Sequence, residues 1–138
     1  MHKPLVIAFA VLAASIAGAS AQTYPDRSIK VVVPYPAGGP TDTVARTVTQ
    51  GLAVDLGQSV IIENQAGAGG RVAMKAVARA VPDGYTLLVG GTNNNAITPA
   101  LYKDLDFDPV KDFAPVAALA SDSLVLVVHP SVPAAGSP

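Results

Sequence analysis

The sequence predicts an α/β fold in which helices flank an open, mostly parallel β-sheet. Three observations support this prediction. Short runs rich in β-branched residues recur along the chain and are apolar on both faces, as the strands of a buried parallel sheet are. Between the first three of these runs lie segments whose apolar residues recur at helical spacing. Glycine, proline or small polar residues stand where the chain leaves a strand and enters a helix.

The predicted elements follow in the order β-α-β-α-β-(α)-β-β. The first strand is centred on Ile29–Val33, which is rich in β-branched residues, and Pro34 closes it. A helix follows, with Thr41 or Asp42 as its predicted N-cap and Leu56-Gly57 as its predicted end.

The next part of the chain repeats this alternation of strand and helix. A second strand occupies Ser59–Glu63, and Arg71–Ala80 places its apolar residues on one helical face. The turn Val81–Gly84 leads into a third strand, Tyr85–Val89. The remaining predicted elements are a short helix at Ala96–Tyr102, an irregular acidic connector at Lys103–Asp112, and two strands at Val116–Ala120 and Leu124–Val128.

Composition excludes several classes of protein. The chain has 138 residues, with 9 Lys+Arg against 10 Asp+Glu and no cysteine. The balanced charge gives no electrostatic footprint for nucleic acid. The lack of thiols excludes a disulfide scaffold, a thiolate metal site, a cysteine nucleophile and a lipidated-cysteine anchor. The length allows at most one small domain.

The N-terminus has the features of a secretory signal peptide. Met1–Lys3 is a short basic segment, Leu5–Ala14 is an uninterrupted apolar run, and Ala19–Ala21 is a small-x-small cleavage motif. A membrane anchor is the alternative, but small and polar residues after Ala14 weaken the span. We therefore expect cleavage after Ala21 and export to the periplasm with no lasting membrane anchor.

Three segments are candidates for a ligand site. An open parallel sheet binds its ligand outside the carboxyl ends of its strands. Those positions are the first loop (Pro36–Thr41), the second loop (Asn64–Gly70) and the third loop (Gly90–Asn95). Their glycine and small polar residues leave backbone N–H groups accessible, and each loop precedes a predicted helix N-terminus, which favours an anion. For any single loop, a tight strand-to-helix turn is the simpler interpretation. Three loops at one edge predict a site for a carboxylate.

Asp42, just after the first loop, and the asparagines of the third loop have more than one interpretation. Asp42 fits a helix cap, and it also fits an acceptor for a hydroxyl, amino or amide group of a ligand; the two roles are compatible. Asn93–Asn95 offers donors and acceptors to a ligand, although a solvated turn explains any one of these asparagines equally well.

Known catalytic and cofactor motifs are incomplete in this sequence. The glycine run of the second loop breaks the dinucleotide fingerprint at Val72, and no phosphate-binding loop of the G-x-x-x-x-G-K-[ST] type occurs. Asp104–Asp108 resembles the start of a calcium loop, but Pro109 stands where glycine is required. After the leader the chain contains a single histidine, His129, which excludes an imidazole-rich metal site and is not part of a triad motif. We expect no enzyme activity, no metal and no cofactor.

Five co-linear segments carry a family resemblance. They are YPDRSIKVVVPYPAGGPTDTVAR (24–46), LGQSVIIENQAGAGG (56–70), PDGYTLLVGGTNN (82–94), PALYKDLDFDPVKDFAPV (99–116) and LVLVVHPSVPA (124–134). Together they resemble the periplasmic solute receptors of the tripartite tricarboxylate transporters, the Bug family. The resemblance implies a periplasmic-binding-protein type II fold, in which two α/β lobes close on a small ligand, usually an organic acid.

The resemblance also implies which residues hold the ligand. In the family, backbone groups and ordered water in the loops after the first strands bind the carboxylate. Two local departures are Ala37, where the family often has proline, and Gln65-Ala66, where Arg-Pro is common. The positions carried over by motif are Tyr35, Ala37, Gly38, Gly39, Asp42, Ala68, Gly69, Thr92 and Asn93.

Family members are much longer than this chain, so we expect a partial fold. Residues 1–21 are the expected signal peptide, 22–120 an incomplete N-terminal α/β lobe, and 121–138 a crossover strand with the start of a second lobe. The expected function is a periplasmic receptor for a small carboxylic acid, a di- or tricarboxylate or a related organic acid, with the permease subunits of the transporter as partners. The alternatives are a truncated fragment that does not bind, a chain that pairs with a separately encoded second half, and a small dinucleotide-dependent enzyme.

Overall fold

A parallel β-sheet lies at the centre of the protein. The computed structural model describes residues 23–121 together with residues 123, 125 and 127. Strands β1 (Ile29–Val33), β2 (Val60–Asn64) and β3 (Thr86–Leu88) pair in the order β2-β1-β3, and both pairings are parallel. The predicted α/β class and the centres of the first three strands are confirmed.

Helices connect the strands and cover the sheet. Helix α1 (Pro40–Leu56) packs against β1 and β2, whereas helix α2 (Arg71–Ala78) packs against β1 and β3. The two crossovers run in opposite directions across the sheet. Because such crossovers are right-handed, this places the two helices on opposite faces of the sheet. A third, short helix α3 (Thr98–Leu101) follows β3.

The core forms around β1, because this strand has a neighbour on each side and a helix over each face. Four of its five residues are buried, and Lys30 is the exception, its ammonium lying 3.3 Å from the Glu63 carboxylate. The helices contribute small or flexible side chains to this core. The buried apolar residues of the strand and the two helices are Ile29, Val31, Val32, Val33, Ala45, Ala73 and Met74.

A conservative truncation in β1 tests this placement of the core. Ile29 is 1% exposed and Ile61, on the neighbouring strand, is 55% exposed. We expect Ile29→Val to lower the free energy of unfolding by about 0.5–1.5 kcal/mol, because a buried methylene group is lost. The matched control Ile61→Val is expected to stay within about 0.5 kcal/mol of the wild type in urea unfolding. Equal losses in the two variants would contradict a core centred on β1.

The start of α1 differs from the sequence prediction. The helix begins at Pro40 with Gly39 as its N-cap, so neither Thr41 nor Asp42 is the cap. Proline fits the first helical position because its missing N–H would have no partner there. The predicted end is correct, since Gly57 closes the helix in the left-handed conformation at φ 61°.

Two further boundaries also differ from the prediction. Helix α2 ends at Ala78 instead of Ala80, because the chain tightens there into a turn in which the Ala80 N–H donates to the Val77 carbonyl at 3.0 Å. Asn93–Asn95 is not loop, as predicted, but the start of a π-helical turn, Asn93–Ile97. It begins with two N–H groups, those of Asn94 and Asn95, that both donate to the Gly91 carbonyl.

The predicted strand at Val116–Ala120 is wrong. This segment is irregular and exposed, with Val116 at 83%. A strand needs a neighbour to accept and donate its backbone hydrogen bonds, and the sheet in the described residues pairs only β1, β2 and β3. The predicted signal peptide, His129 and most of the predicted strand Leu124–Val128 lie outside the described residues. None of the helices in the described part of the chain has the length and hydropathy needed to cross a bilayer.

Candidate functional site

The three loops leave the sheet at one edge. The parallel register continues past the strands, since the Gln65 N–H donates to the Val33 carbonyl at 2.9 Å and the Val89 N–H to the Val32 carbonyl at 3.0 Å. The carboxyl ends of β1, β2 and β3 therefore lie side by side. Between β1 and β3 the direction of the crossovers reverses, and at such a point loops diverge and leave a crevice for a ligand.

The first loop leads directly into the N-terminus of α1. Gly38 adopts φ 83°, a conformation that glycine accepts without cost, and its N–H turns back toward the helix. The Thr43 N–H donates to the Gly39 carbonyl at 2.9 Å. The N–H groups of the preceding helical residues have no carbonyl one turn earlier within the helix, so they favour an anion at this edge.

Asp42 is buried beneath the first loop with both carboxylate oxygens occupied. Its side chain is 2% exposed. Its Oδ2 accepts hydrogen bonds from the Gly38 N–H and the Arg46 Nε, each at 2.8 Å, and its Oδ1 accepts from the Asn64 Nδ2 at 2.9 Å. The same Asn64 Nδ2 lies 3.1 Å from the Tyr35 carbonyl. We call Asp42, Arg46 and Asn64 the Asp42 cluster; it fixes the first loop to the end of β2.

The Asp42 cluster keeps the carboxyl group ionised. The hydrogen bond from Arg46 is the main cause that holds the pKa of Asp42 far below its usual range, and the hydrogen bonds from Gly38 and Asn64 act in the same direction. Burial opposes this shift but is outweighed. The Arg46 guanidinium also compensates the negative charge of Asp42 close to the predicted anion site.

This lowered pKa predicts an acid-dependent loss of stability. A carboxyl with a lower pKa in the folded state stabilises the fold above its unfolded-state pKa, about 3.9, and loses that contribution as pH falls below it. We therefore expect the free energy of unfolding to decline below about pH 4 and Asp42→Asn to reduce the slope of this decline. The measurement is urea unfolding at a series of pH values. Asp55→Asn, an exposed position near the end of the same helix, is the control and should keep the wild-type slope.

The second loop ends in three residues with left-handed backbone conformations. Ala68, Gly69 and Gly70 form a 3₁₀ turn with φ values of 46°, 67° and 88°. The Gly70 N–H donates to the Gly67 carbonyl at 2.8 Å. Among the described residues, Ala68 is the one non-glycine with positive φ, a conformation that costs about 1–2 kcal/mol for an L-residue. Strain of this kind concentrates at ligand sites, where surrounding contacts maintain it.

Asn94 joins the third loop to the second loop and to Tyr35, the residue directly before the first loop. Its side chain is fully buried. The Tyr35 hydroxyl of the segment after β1 donates to Asn94 Oδ1 at 2.8 Å, and Asn94 Nδ2 donates to the Gly69 carbonyl at 3.0 Å. The Tyr35 contact spans the β1–β3 crevice. Asn94 is not among the candidate residues predicted from the sequence, because no local signal distinguishes the middle one of three asparagines.

All nine candidate residues from the sequence lie at this edge of the sheet. The structure brings Tyr35 and Gly69 together through Asn94, and Gly38 and Tyr35 together through the Asp42 cluster. The site is an open surface, since most of the candidates are exposed. The exposed candidates are Ala37, Gly38, Ala68, Gly69, Thr92 and Asn93.

A separate cavity of about 270 Å³ lies at the opposite edge of the sheet, where β1 and β3 begin. Its charged groups are already paired: the Arg27 guanidinium lies 2.6 Å from the Asp83 carboxylate and 4.1 Å from the centre of the Tyr85 ring. The helix N-termini that follow the three loops lie at the other edge of the sheet, away from this cavity. The loop edge therefore remains the candidate site.

Comparison with known proteins identifies the family. Residues 44–136 match the family model described as the tripartite tricarboxylate transporter family receptor. The chain is 42% identical over 128 residues to a UPF0065 protein of Bordetella pertussis, an alignment that covers 93% of this chain and 39% of that protein. It is 39% identical over 129 residues to the protein BugT of the same organism, with the same coverage of each chain. The chain thus spans about two fifths of the length of these curated relatives.

Solved structures share both the fold and the sequence. MatC from Rhodopseudomonas palustris, solved with bound malate, is 51% identical with a TM-score of 0.67, covering 70% of this chain and 33% of that one. The periplasmic binding protein BugD is 42% identical with a TM-score of 0.60 over 67% of this chain and 30% of its own. Rpa4515 of R. palustris with adipate is 36% identical with a TM-score of 0.60 over 62% of this chain and 29% of its own.

These matches distinguish a solute-binding receptor from the dinucleotide-dependent enzyme, two of the classes left open by the sequence. Both the family description and the neighbouring structures are those of solute-binding receptors, so the dinucleotide-dependent enzyme considered above is excluded. The similarity to these structures also confirms the partial periplasmic-binding-protein fold that the sequence predicts. The chain belongs to the receptor family of the tripartite tricarboxylate transporters.

Proposed function

We propose that this chain forms one side of a receptor cleft for a small carboxylic acid, a di- or tricarboxylate or a related organic acid. The observation that carries the proposal is the joining of three glycine-rich loops at one sheet edge, where α1 and α2 begin. Backbone N–H groups there favour a carboxylate without an arginine in direct contact. The proposed site residues are Tyr35, Ala37, Gly38, Gly39, Asp42, Ala68, Gly69, Thr92 and Asn93. Among them, Asp42 is proposed to support the site by holding the first loop in place.

The ligands of similar proteins support a carboxylate. MatC is described with malate and Rpa4515 with adipate, and both ligands are dicarboxylates. The two acids share their two terminal carboxylates, so the shared part of the site is expected to recognise that group. The backbone N–H groups of the three loops can donate the hydrogen bonds that a carboxylate accepts. The remainder of each ligand is expected to contact groups outside these loops.

The proposed mechanism is non-covalent capture between two lobes. The ligand binds first at the open loop surface of the 22–120 lobe, and a second lobe, beginning within residues 121–138, closes over it. The closed receptor then presents the ligand to the membrane permease subunits of the transporter. We propose that this takes place in the periplasm, after export and cleavage behind Ala21.

Thermal unfolding followed by circular dichroism tests the proposed ligand class. The full chain is heated alone and with L-malate, succinate, adipate or citrate, and L-malamide serves as the uncharged match of malate. A ligand that binds only the native state stabilises it by about 2.7 kcal/mol at a hundredfold excess over its dissociation constant. We expect at least one of the acids, but not the diamide, to raise the transition temperature.

Two outcomes contradict the proposal. A cooperative transition that no acid moves indicates a folded chain that does not bind carboxylates. An equal shift with L-malate and L-malamide indicates that the carboxylate charge is not what the site recognises.

A further inference from the structure

We infer that Asn94 is a positioning residue: its buried carboxamide sets the relative position of the three loops, so that affinity for a carboxylate depends on a side chain that does not touch it. This inference rests on the proposed function for the ligand it names. The geometry that supports it is independent of any ligand.

The Asn94 side chain lies where the second and third loops meet Tyr35, the residue directly before the first loop. It is 0% exposed. Its Oδ1 accepts from the Tyr35 hydroxyl at 2.8 Å and its Nδ2 donates to the Gly69 carbonyl at 3.0 Å. The first partner is 59 residues away along the chain and the second is 25 residues away. A single side chain therefore holds the ends of β1 and β3 and the turn before α2 at fixed distances.

The orientation of the carboxamide is set by its partners. The Gly69 carbonyl can only accept a hydrogen bond, so the amide nitrogen of Asn94 must face it. The amide oxygen then faces the Tyr35 hydroxyl, which can donate. A rotated carboxamide would place two acceptors against each other in a buried position, which is costly.

Close packing keeps the carboxamide in this place. A Cβ atom added at Gly70 would lie 2.1 Å from Asn94 Nδ2 and 3.1 Å from Pro34 Cβ. Glycine at position 70 is thus what allows the second loop to approach the carboxamide. Since the side chain is sealed from solvent and both ends are engaged, it is not available to a ligand, and it acts on the site through Tyr35 and Gly69.

The decisive variant is Asn94→Asp, which keeps the shape and changes the hydrogen bonds with pH. When ionised, the introduced carboxylate still accepts from Tyr35 but repels the Gly69 carbonyl. When protonated, it donates to that carbonyl as the amide does. Burial and the neighbouring carbonyl raise the pKa of the introduced group, whereas the hydrogen bond from the Tyr35 hydroxyl lowers it. Binding is therefore compared at one pH that favours the ionised form and one that favours the protonated form.

Affinity for L-malate and succinate is measured by calorimetry at pH 8 and pH 5.5, each relative to the wild type at the same pH. At pH 8 we expect the variant to bind both acids roughly tenfold more weakly than the wild type, by the same factor for each acid. At pH 5.5 we expect its affinity to return most of the way to that of the wild type. The control Asn95→Asp, at the exposed neighbouring position, should give a ratio that does not depend on pH in this way. A loss that is the same at both pH values, or that differs between the two acids, would overturn the inference.

Amide hydrogen exchange gives a second readout that needs no ligand. At pH 8, Asn94→Asp is expected to speed exchange at Gly38 and Gly70 in the two partner loops while the β1 amides keep their wild-type protection. Faster exchange only beside position 94 would overturn the positioning role. A wild type that binds neither acid contradicts the proposed function instead, and the exchange pattern still decides the inference.

Discussion

Gly70→Ala is expected to destabilise the protein by about 2–5 kcal/mol, more than the same change at any other glycine of the described residues. Two costs combine at this position. A residue with a Cβ atom is strained at φ 88°, and the added atom would lie 2.1 Å from Asn94 Nδ2. Relief requires the carboxamide to move, which breaks its hydrogen bonds to Tyr35 and Gly69. Urea unfolding gives the loss of stability directly.

Gly57→Ala is the matched control for this prediction. Gly57 also has positive φ, 61°, but a Cβ atom there would meet nothing within 4 Å. This variant therefore keeps the conformational cost, about 1–2 kcal/mol, without the clash. A loss in Gly70→Ala no greater than in Gly57→Ala would contradict the close packing of the second loop against Asn94.

Asp42→Ala is expected to weaken the binding of L-malate and of succinate by the same factor, roughly tenfold or more. These acids differ by one hydroxyl group, so they report whether Asp42 contacts that hydroxyl. In the structure each carboxylate oxygen already has a partner in the first loop or the Asp42 cluster, and the side chain is buried. Loss of Asp42 is therefore expected to disorder the loop and reduce affinity for every carboxylate alike.

The control for Asp42→Ala is Asp55→Ala, which removes an exposed carboxylate from the same helix and should leave both affinities unchanged. Binding is measured by isothermal titration calorimetry at neutral pH. A loss for L-malate that clearly exceeds the loss for succinate would show that Asp42 hydrogen-bonds the ligand hydroxyl, and the positioning account of this residue would then be wrong.

The central elements of the fold could be predicted because their signals are local. Ile29–Val33 is a run of β-branched residues, and α1 ends at a glycine, so both were located from neighbouring residues alone. The start of α1 was misplaced by local reasoning of the same kind. Asp42 has the side chain of a good N-cap, but Pro40 fits the first helical position, and the Asp42 carboxylate accepts the Gly38 N–H from inside the helix.

The contacts that join the loops could not be predicted in this way. The order of strands and helices predicts that three loops share one edge, which located the candidate site. The choice of Asn94 from three consecutive asparagines depends on Tyr35 and Gly69, which are far away in sequence. The failed strand at Val116–Ala120 has the same cause, since strand formation depends on a partner that the segment's own composition does not specify.

The most direct test of a carboxylate site at the three loops is a titration of the ¹⁵N-labelled chain with L-malate, followed by the backbone amide resonances in two-dimensional NMR. We expect the largest shifts at Gly38, Gly39 and Gly69, and none at Tyr85 beside the cavity on the opposite edge. L-malamide should produce none of these shifts. Shifts confined to the opposite edge, or a folded spectrum that L-malate leaves unchanged, would contradict a carboxylate site built from the three loops.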